Sequence, residues 1–288
     1  MIPGVPGDSQ VYLNGQYTRI DEAKISVLDR GFIFGDGVYE VVPVYNGKPF
    51  RMTEHLDRLE RSLAAIKIRP SMDRAQWVDL IQQLIARAAQ PTSFIYLQVT
   101  RGVCKRDHAF PTQDVTPTVF GMTLPFSVPN RAAREHGLSA IGIPDKRWLH
   151  CEIKSVSLLG NVLAKQQAVE ASVDEVLQFR DGILTEGSSS NVWVVSGGKL
   201  MAPPKNNLIL EGIRYNLLTE LAAEAGIAFE PRHLSMDDVD QADELLLSSA
   251  TKEVLSVVRY NGKPVGSGKP GPVFARLRAG YDARIAAL

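Results

Sequence analysis

The chain has 288 residues, 44% hydrophobic and 22% charged, a globular composition long enough for one large domain or two ordinary ones. Lysine plus arginine balance aspartate plus glutamate at 32 each, and a formal net charge of zero argues against a nucleic-acid partner. Two cysteines exclude a disulfide framework and suit a reducing, cytoplasmic setting, and no apolar run approaches the ~20 residues that span a bilayer.

The opening stretch, "MIPGVPGDSQ", has no basic start followed by an apolar core, so it does not read as a secretory leader. "VYLNGQYTRI" places Asn14-Gly15 between two strand-like runs, a two-residue hairpin signal. "YEVVPVYNGKPFRM" repeats the device at Asn46-Gly47, with Pro43 marking an edge or a bulge. Thr53 is the expected cap of a helix whose apolar stripe is Leu56, Leu59, Leu63 and Ile66. Asp73 is the expected cap of a second helix, carrying Trp77, Leu80, Ile81, Leu84 and Ile85. "SFIYLQVTRG" and "TPTVFGMTL" return to strand. Residues 1–120 therefore read as an α+β domain, strands with helices on one side.

The proline- and charge-rich "PFSVPNRAAREHG" punctuates the chain. Residues 121–131 are taken as a linker and 132–288 as a second domain. There "LSAIGIP" reads as strand. Alternation through "WLHCEIK" puts Trp148, His150, Glu152 and Lys154 on one face of a short extended segment. A helical run containing Lys165 follows. Hairpins are expected at Asp181-Gly182, Gly197-Gly198 and Asn261-Gly262, and Gly226 is placed to stop the helix of "EGIRYNLLTELAAEAG". Many hairpins and few alternating β-α units argue against a doubly wound parallel sheet.

Several enzyme classes lack their signatures. The five histidines are scattered and neither cysteine has a near partner, so no metal site is expected. "GFIFGDG" lacks the dinucleotide spacing, and "GSSSN" lacks the elbow of a serine hydrolase. Four polar clusters remain. Lys154 is a nucleophile for carbonyl chemistry if its face is dry, and an exposed strand-end lysine otherwise. Glu186, in "LTEGSSSN", is a carboxylate suited to a positive heteroaromatic nitrogen, or the edge of an ordinary turn. Gly212 opens a helix whose free N–H groups suit a phosphate, or opens one that binds nothing. Arg101, Lys105, Arg106 and His108 form a cationic loop that suits a carboxylate ligand, or a solvated one. Taken singly, each cluster favours its ordinary reading. Together they outline a site for a phosphorylated carbonyl cofactor and an anionic substrate.

"RGFIFGDGVYEVV", "HLDRLERSL", "IKSVSLLGNVLAKQ", "LTEGSSSNVW", "EGIR" and "SSATKEV" follow one another in an order and spacing that resembles the fold-type IV pyridoxal-phosphate enzymes. The likeness runs from about Tyr12 to Tyr260. That family includes D-amino acid aminotransferases, branched-chain aminotransferases, (R)-amine transaminases and aminodeoxychorismate lyases. The resemblance implies two domains, a small N-terminal α+β domain and a larger, β-barrel-like α+β domain that binds pyridoxal 5′-phosphate. It implies that Lys154 joins the cofactor aldehyde and shuttles the proton, and that Glu186 pairs with the ring nitrogen. It gives Arg58 and the helix start at Gly212 and Ile213 to the phosphate, Leu210 to the ring face, and Ser189 to a hydroxyl behind the ring. Tyr39, Arg106 and His108 match the carboxylate clamp of the D-amino acid enzymes, which favours D-amino acid and 2-oxo acid substrates. Two positions depart from the pattern. Arg214 and Ala250 stand where the family usually has threonine, so the cup formed with Ser249 and Thr251 is expected to lose two hydroxyls, with Arg214 or Thr251 compensating. Members are usually homodimers, and the same is expected here by resemblance. A branched-chain aminotransferase, a lyase and a non-enzymatic relative remain alternative readings.

Overall fold

The structure is a computed structural model that describes residues 7–88 and 90–288. Residues 1–6, most of the stretch read for a leader, lie outside the described residues. The chain divides into two compact units, one running to Ser127 and including Ile153–Ser157, the other made of Val128–Glu152 and Leu158–Leu288.

The first unit begins with the hairpin β1 (Gln10–Leu13) and β2 (Gln16–Arg19), then a short helix α1 (Arg30–Phe34). A second hairpin, β3 (Gly37–Tyr45) and β4 (Lys48–Pro49), leads into α2 (Met52–Ala65) and α3 (Arg74–Ala88). Strands β5 (Ser93–Thr100) and β6 (Thr118–Pro125) complete a six-stranded antiparallel sheet of order β2-β1-β6-β5-β3-β4. Leu56, Leu59 and Leu63 of α2 and Trp77, Ile81 and Leu84 of α3 form one core with Val38, Val42, Ile95 and Leu97 of the sheet. Burying such side chains is worth ~1.5–3 kcal/mol each, which is what holds both helices on the strands.

The second unit opens with α4 (Arg131–His136), β7 (Leu138–Pro144) and α5 (Leu159–Glu170). It continues through β8 (Glu175–Arg180), β9 (Ile183–Gly187), β10 (Asn191–Ser196) and β11 (Lys199–Ala202) to α6 (Ile213–Glu224). Then come β12 (Phe229–Pro231), α7 (Met236–Asp240), β13 (Glu244–Ser249), β14 (Glu253–Tyr260), β15 (Lys263–Pro264) and α8 (Pro272–Ala286). The strands form a nine-stranded mixed sheet that curls into a half-barrel, with β7 parallel to both β8 and β14. Leu177, Val192, Val194, Leu245, Leu247 and Val257 line its main core.

All five hairpin signals mark real hairpins. Their first residues, Asn14, Asn46, Asp181, Gly197 and Asn261, take positive φ, as does the glycine that follows each. Asp73 caps α3 by accepting from the Gln76 N–H at 2.9 Å. Pro43 sits where β4 does not reach, since β4 pairs only with Val44 and Tyr45, so its missing N–H breaks no ladder there.

Three local expectations are corrected. Thr53 lies inside α2, which starts one residue earlier; Arg51, at φ 56°, makes the corner and pairs with Glu54 at 2.7 Å. Residues 121–125 belong to β6, which pairs with β5 through Pro125, so the strand runs into the stretch read as linker. The alternating "WLHCEIK" forms turns; its alternation mimics a strand, but only Ser155 bridges to a strand residue, Val38.

Candidate active site

In the first unit, Lys154 is strapped to the sheet and to a helix. Its carbonyl accepts from the Tyr39 N–H at 3.0 Å, and its N–H donates to the Ser62 hydroxyl of α2 at 3.3 Å. Val156 then donates to the Gly37 carbonyl at 3.1 Å. The half-buried side chain carries its ammonium over the Tyr39 ring, 3.9 Å from the centroid. Tyr39 itself stacks on Tyr96 with centroids 5.7 Å apart.

One residue on, alternation turns Glu40 to the other face of β3. Glu40 is fully buried and takes the fork of Arg58, Nε at 2.7 Å and Nη2 at 2.8 Å. His55 Nδ1 lies 2.7 Å from the same carboxylate. Burial works against this charge, but Arg58 and His55 outweigh it and hold the Glu40 carboxyl well below the usual range. Arg58 is thereby fixed in one orientation at the start of the turn that ends at Ser62.

The expected clamp residues gather in two places. Tyr39 meets Lys154. Arg106 and His108, on the exposed loop after β5, meet Phe34, with the Arg106 guanidinium 5.3 Å and the His108 ring 5.4 Å from its centroid.

In the second unit, Glu186 is buried at the end of β9. Arg147 pairs with its Oε1. The Leu210 N–H donates to its Oε2 at 3.0 Å, and Asn191 ties the Leu210 carbonyl at 2.9 Å. Burial pushes the Glu186 carboxyl up, while Arg147 and the Leu210 N–H pull against it. Arg147 is held in turn by Asp145, Nε at 3.0 Å and Nη2 at 2.8 Å. Burial opposes the Asp145 charge, but Arg147 prevails and brings its carboxyl to about 2. A carboxylate offers about four lone-pair directions, so Glu186 keeps room for one more N–H.

Gly212 caps α6 with no side-chain hydrogen bond to its first turn, and Ile213 is buried behind it. A Cβ on Gly212 would stand 2.1 Å from Asn191 Oδ1, so only glycine lets the helix start lie against Asn191. Arg214, 1% exposed, donates from Nε to the Tyr281 hydroxyl of α8 at 3.0 Å. That placement ties Arg214 to the packing of α6 on α8. Ser249 and Thr251 share a hydroxyl contact at 3.2 Å on the β13–β14 turn, with half-buried Ala250 between them. Ser189 is exposed, while its neighbours Ser188 and Ser190 are buried against Glu175.

Each unit carries donors that fit pyridoxal phosphate: in the first an amine held over a ring, in the second a buried carboxylate with spare acceptor capacity and a helix start without a side-chain cap that a glycine keeps close. Glu40, His55, Asp145, Arg147, Glu175 and Asn191 were not singled out by sequence reasoning. Glu40 had a signal, a charge inside the apolar run "VYEVV".

Comparison with known proteins agrees with this chemistry. Residues 37–260 match the family model described as amino-transferase class IV. The chain is 39% identical over 276 residues to a D-alanine aminotransferase of Staphylococcus aureus, covering 96% of this chain and 98% of the relative. It is 40% identical over 276 residues to a D-alanine aminotransferase of Bacillus licheniformis, covering 96% and 97%. The fold is shared with the branched-chain amino acid aminotransferase of Escherichia coli, at a TM-score of 0.89 and 24% identity, covering 96% of this chain and 94% of that one. The chain belongs to the class IV aminotransferase family.

Proposed function

We propose that the protein transfers the amino group of a D-amino acid such as D-alanine to a 2-oxo acid such as 2-oxoglutarate or pyruvate. The carrying observation is the pairing of Arg106 and His108 on Phe34, a guanidinium and an imidazole side by side on one loop. The D-alanine aminotransferase relatives support the same substrate class.

Pyridoxal phosphate, when bound, supplies an aldehyde for the incoming amine and a ring that draws electrons from the substrate α-carbon. Lys154 would hold the cofactor through its aldehyde in the resting enzyme, and its freed amine would take the α-proton of the substrate and hold it for return. Glu186 would hold positive charge at the ring nitrogen. Its burial keeps water from screening that charge, and Arg147 keeps the carboxylate aimed. Arg58 and the N-terminal N–H groups of α6 would hold the phosphate, with Leu210 and Ser189 as the residues that would contact the ring. Ser249 and Thr251 supply hydroxyls where Ala250 cannot, and Arg214 serves the helix from below through Tyr281. Tyr39, Arg106 and His108 bind the α-carboxylate of the substrate and of the returning oxo acid.

A homodimer in the cytoplasm completes this reading. Leu159, Val162 and Leu163 are exposed on one stripe of α5, apolar surface of the kind a second copy covers. Both cysteines are free thiols, and among the described residues no helix is long and apolar enough to cross a membrane.

The test is a panel of D- and L-amino acids with 2-oxoglutarate, read by 2-oxo acid release. D-alanine is expected to react and L-leucine to be poor. Preference for L-leucine would move the enzyme to the branched-chain group, whose fold it shares. Pyruvate release from aminodeoxychorismate without an oxo-acid acceptor would make it a lyase.

A further inference from the structure

The loop carrying Arg106 and His108 is exposed and lies between two strands, where a chain segment has little shape of its own. Arg30, 4% exposed at the start of α1, gives this loop its shape. Its Nη1 donates to the Asp107 carbonyl at 2.5 Å and the Ala109 carbonyl at 3.3 Å. Those two residues flank His108. The Arg30 Nε donates to Asp36 at 2.7 Å. Asp36 also takes the fork of Arg101, Nε at 2.7 Å and Nη2 at 3.0 Å. Arg101 is anchored on the Ile66 carbonyl at 2.8 Å, and its guanidinium covers Phe110 at 3.8 Å from the ring centroid. The far end of the same loop is thus held as well. Phe34, one helical turn after Arg30, lies against two guanidinium groups, Arg30 at 4.8 Å and Arg106 at 5.3 Å, and against the His108 ring at 5.4 Å.

Burial opposes the charge of Asp36, but the two arginines hold its carboxyl below the usual range. The bracket therefore stays charged throughout neutral pH. A planar guanidinium can hold an aspartate with one edge and two carbonyls with another, which a lysine ammonium cannot do.

We propose that Arg30 is a positioning residue for substrate recognition. By gripping the carbonyls on either side of His108 while Asp36 holds it from behind, it sets the geometry in which Arg106 and His108 meet the substrate α-carboxylate. This rests on the D-amino acid reading above. Arg30 itself touches no substrate. Its contribution is to remove the ordering that the loop would otherwise undergo on binding.

The experiment compares holoenzyme of the wild type, Arg30→Lys and Asp36→Asn with D-alanine and 2-oxoglutarate, alongside thermal melting and the visible absorbance of bound cofactor. Each variant is expected to raise the KM for D-alanine about tenfold, to keep kcat within about threefold, and to leave the absorbance unchanged. A residue needed only for folding would lower the amount of active enzyme and leave KM where it was. An unchanged KM in Arg30→Lys that melts like the wild type overturns the proposal. If Arg30→Lys does not fold, the KM of Asp36→Asn decides on the same terms. A wild type that turns over no D-amino acid defeats the underlying reading. A wild type that does, with variants of unchanged KM, defeats this proposal alone.

Discussion

The ammonium of Lys154 lies 3.9 Å from the centroid of the Tyr39 ring, and the Lys154 carbonyl takes the Tyr39 N–H at 3.0 Å. Tyr39 therefore fixes both ends of this lysine, its backbone through one N–H and its charge through the ring face. Lys154→Ala is expected to lose the visible absorbance of bound cofactor and at least about 10³-fold in turnover, the range that general acid–base groups supply. Tyr39→Phe keeps the ring and removes only the hydroxyl. It should retain the absorbance and raise the KM for D-alanine. Normal turnover in Lys154→Ala would remove Lys154 from the chemistry.

Glu186 and Asp145 share Arg147, which stands between two buried carboxylates. Glu186→Gln keeps the size and an acceptor for the Leu210 N–H but removes the charge. Its kcat should fall by about 10²–10³, the loss typical of one electrostatic partner, with cofactor still bound. Arg147→Met leaves two carboxylates without their common cation. A stability loss of ~3–5 kcal/mol is expected in denaturant melts, as for other broken buried pairs. A melt that does not move would show that water or a backbone donor satisfies both acids.

Glu40 makes acid stability measurable. Its folded carboxyl is lowered, so in acid the unfolded chain binds more protons than the folded one, and stability rises with pH. The contribution is complete above the unfolded glutamate value, about 4.3, and is lost as pH falls toward the lower folded value. The wild-type melting temperature should therefore drop steeply below about pH 4, while Glu40→Gln should melt lower at neutral pH and lose less in acid. Parallel acid limbs in the two proteins would assign the acid sensitivity to other carboxylates.

The legible parts of the molecule are those written locally. Asn-Gly and Asp-Gly pairs name their own turns where the chain takes positive φ, and four of the five close hairpins, while Asp36-Gly37 leads straight into β3. Lys154, Glu186 and Gly212 could be singled out as candidates through their order along the chain, since each stands in a short motif. The partners that hold them could not. Arg147 reaches Glu186 across 39 positions, and Arg30 reaches Asp107 across 77, and no local pattern announces such pairs. "WLHCEIK" misled for a physical reason: alternating polarity is the signature of a half-buried strand, but turns can carry it without forming a ladder. Thr53 misled because the preferred cap type stood one step inside a helix that Arg51 had already started.

Glu175, fully buried at the start of β8, ties together two turns that carry expected cofactor residues. Its Oε1 takes the Ser188 hydroxyl at 2.5 Å and the Ser188 N–H at 3.2 Å, and its Oε2 takes the Lys252 ammonium at 2.8 Å. Ser188 stands beside Ser189 on the turn after β9. Lys252 follows Ser249, Ala250 and Thr251 on the turn after β13. One carboxylate thus sets the spacing of both turns. Burial opposes its charge, but Lys252 and Ser188 lower its carboxyl, so the bracket is ionised at neutral pH. Glu175→Gln keeps the shape and loses the ion pair. Because a hydrogen bond to a charged group is worth ~1.5–3 kcal/mol, affinity for pyridoxal 5′-phosphate should fall by at least about tenfold, read by absorbance titration of cofactor-free protein. Lys252→Met should weaken binding to the same degree, and the double variant by little more than either alone, since both remove one interaction. Additive losses would mean that Lys252 acts on the cofactor separately from Glu175. An unchanged affinity with a lower melting temperature would mean that the bracket serves the fold and leaves the two turns indifferent to it.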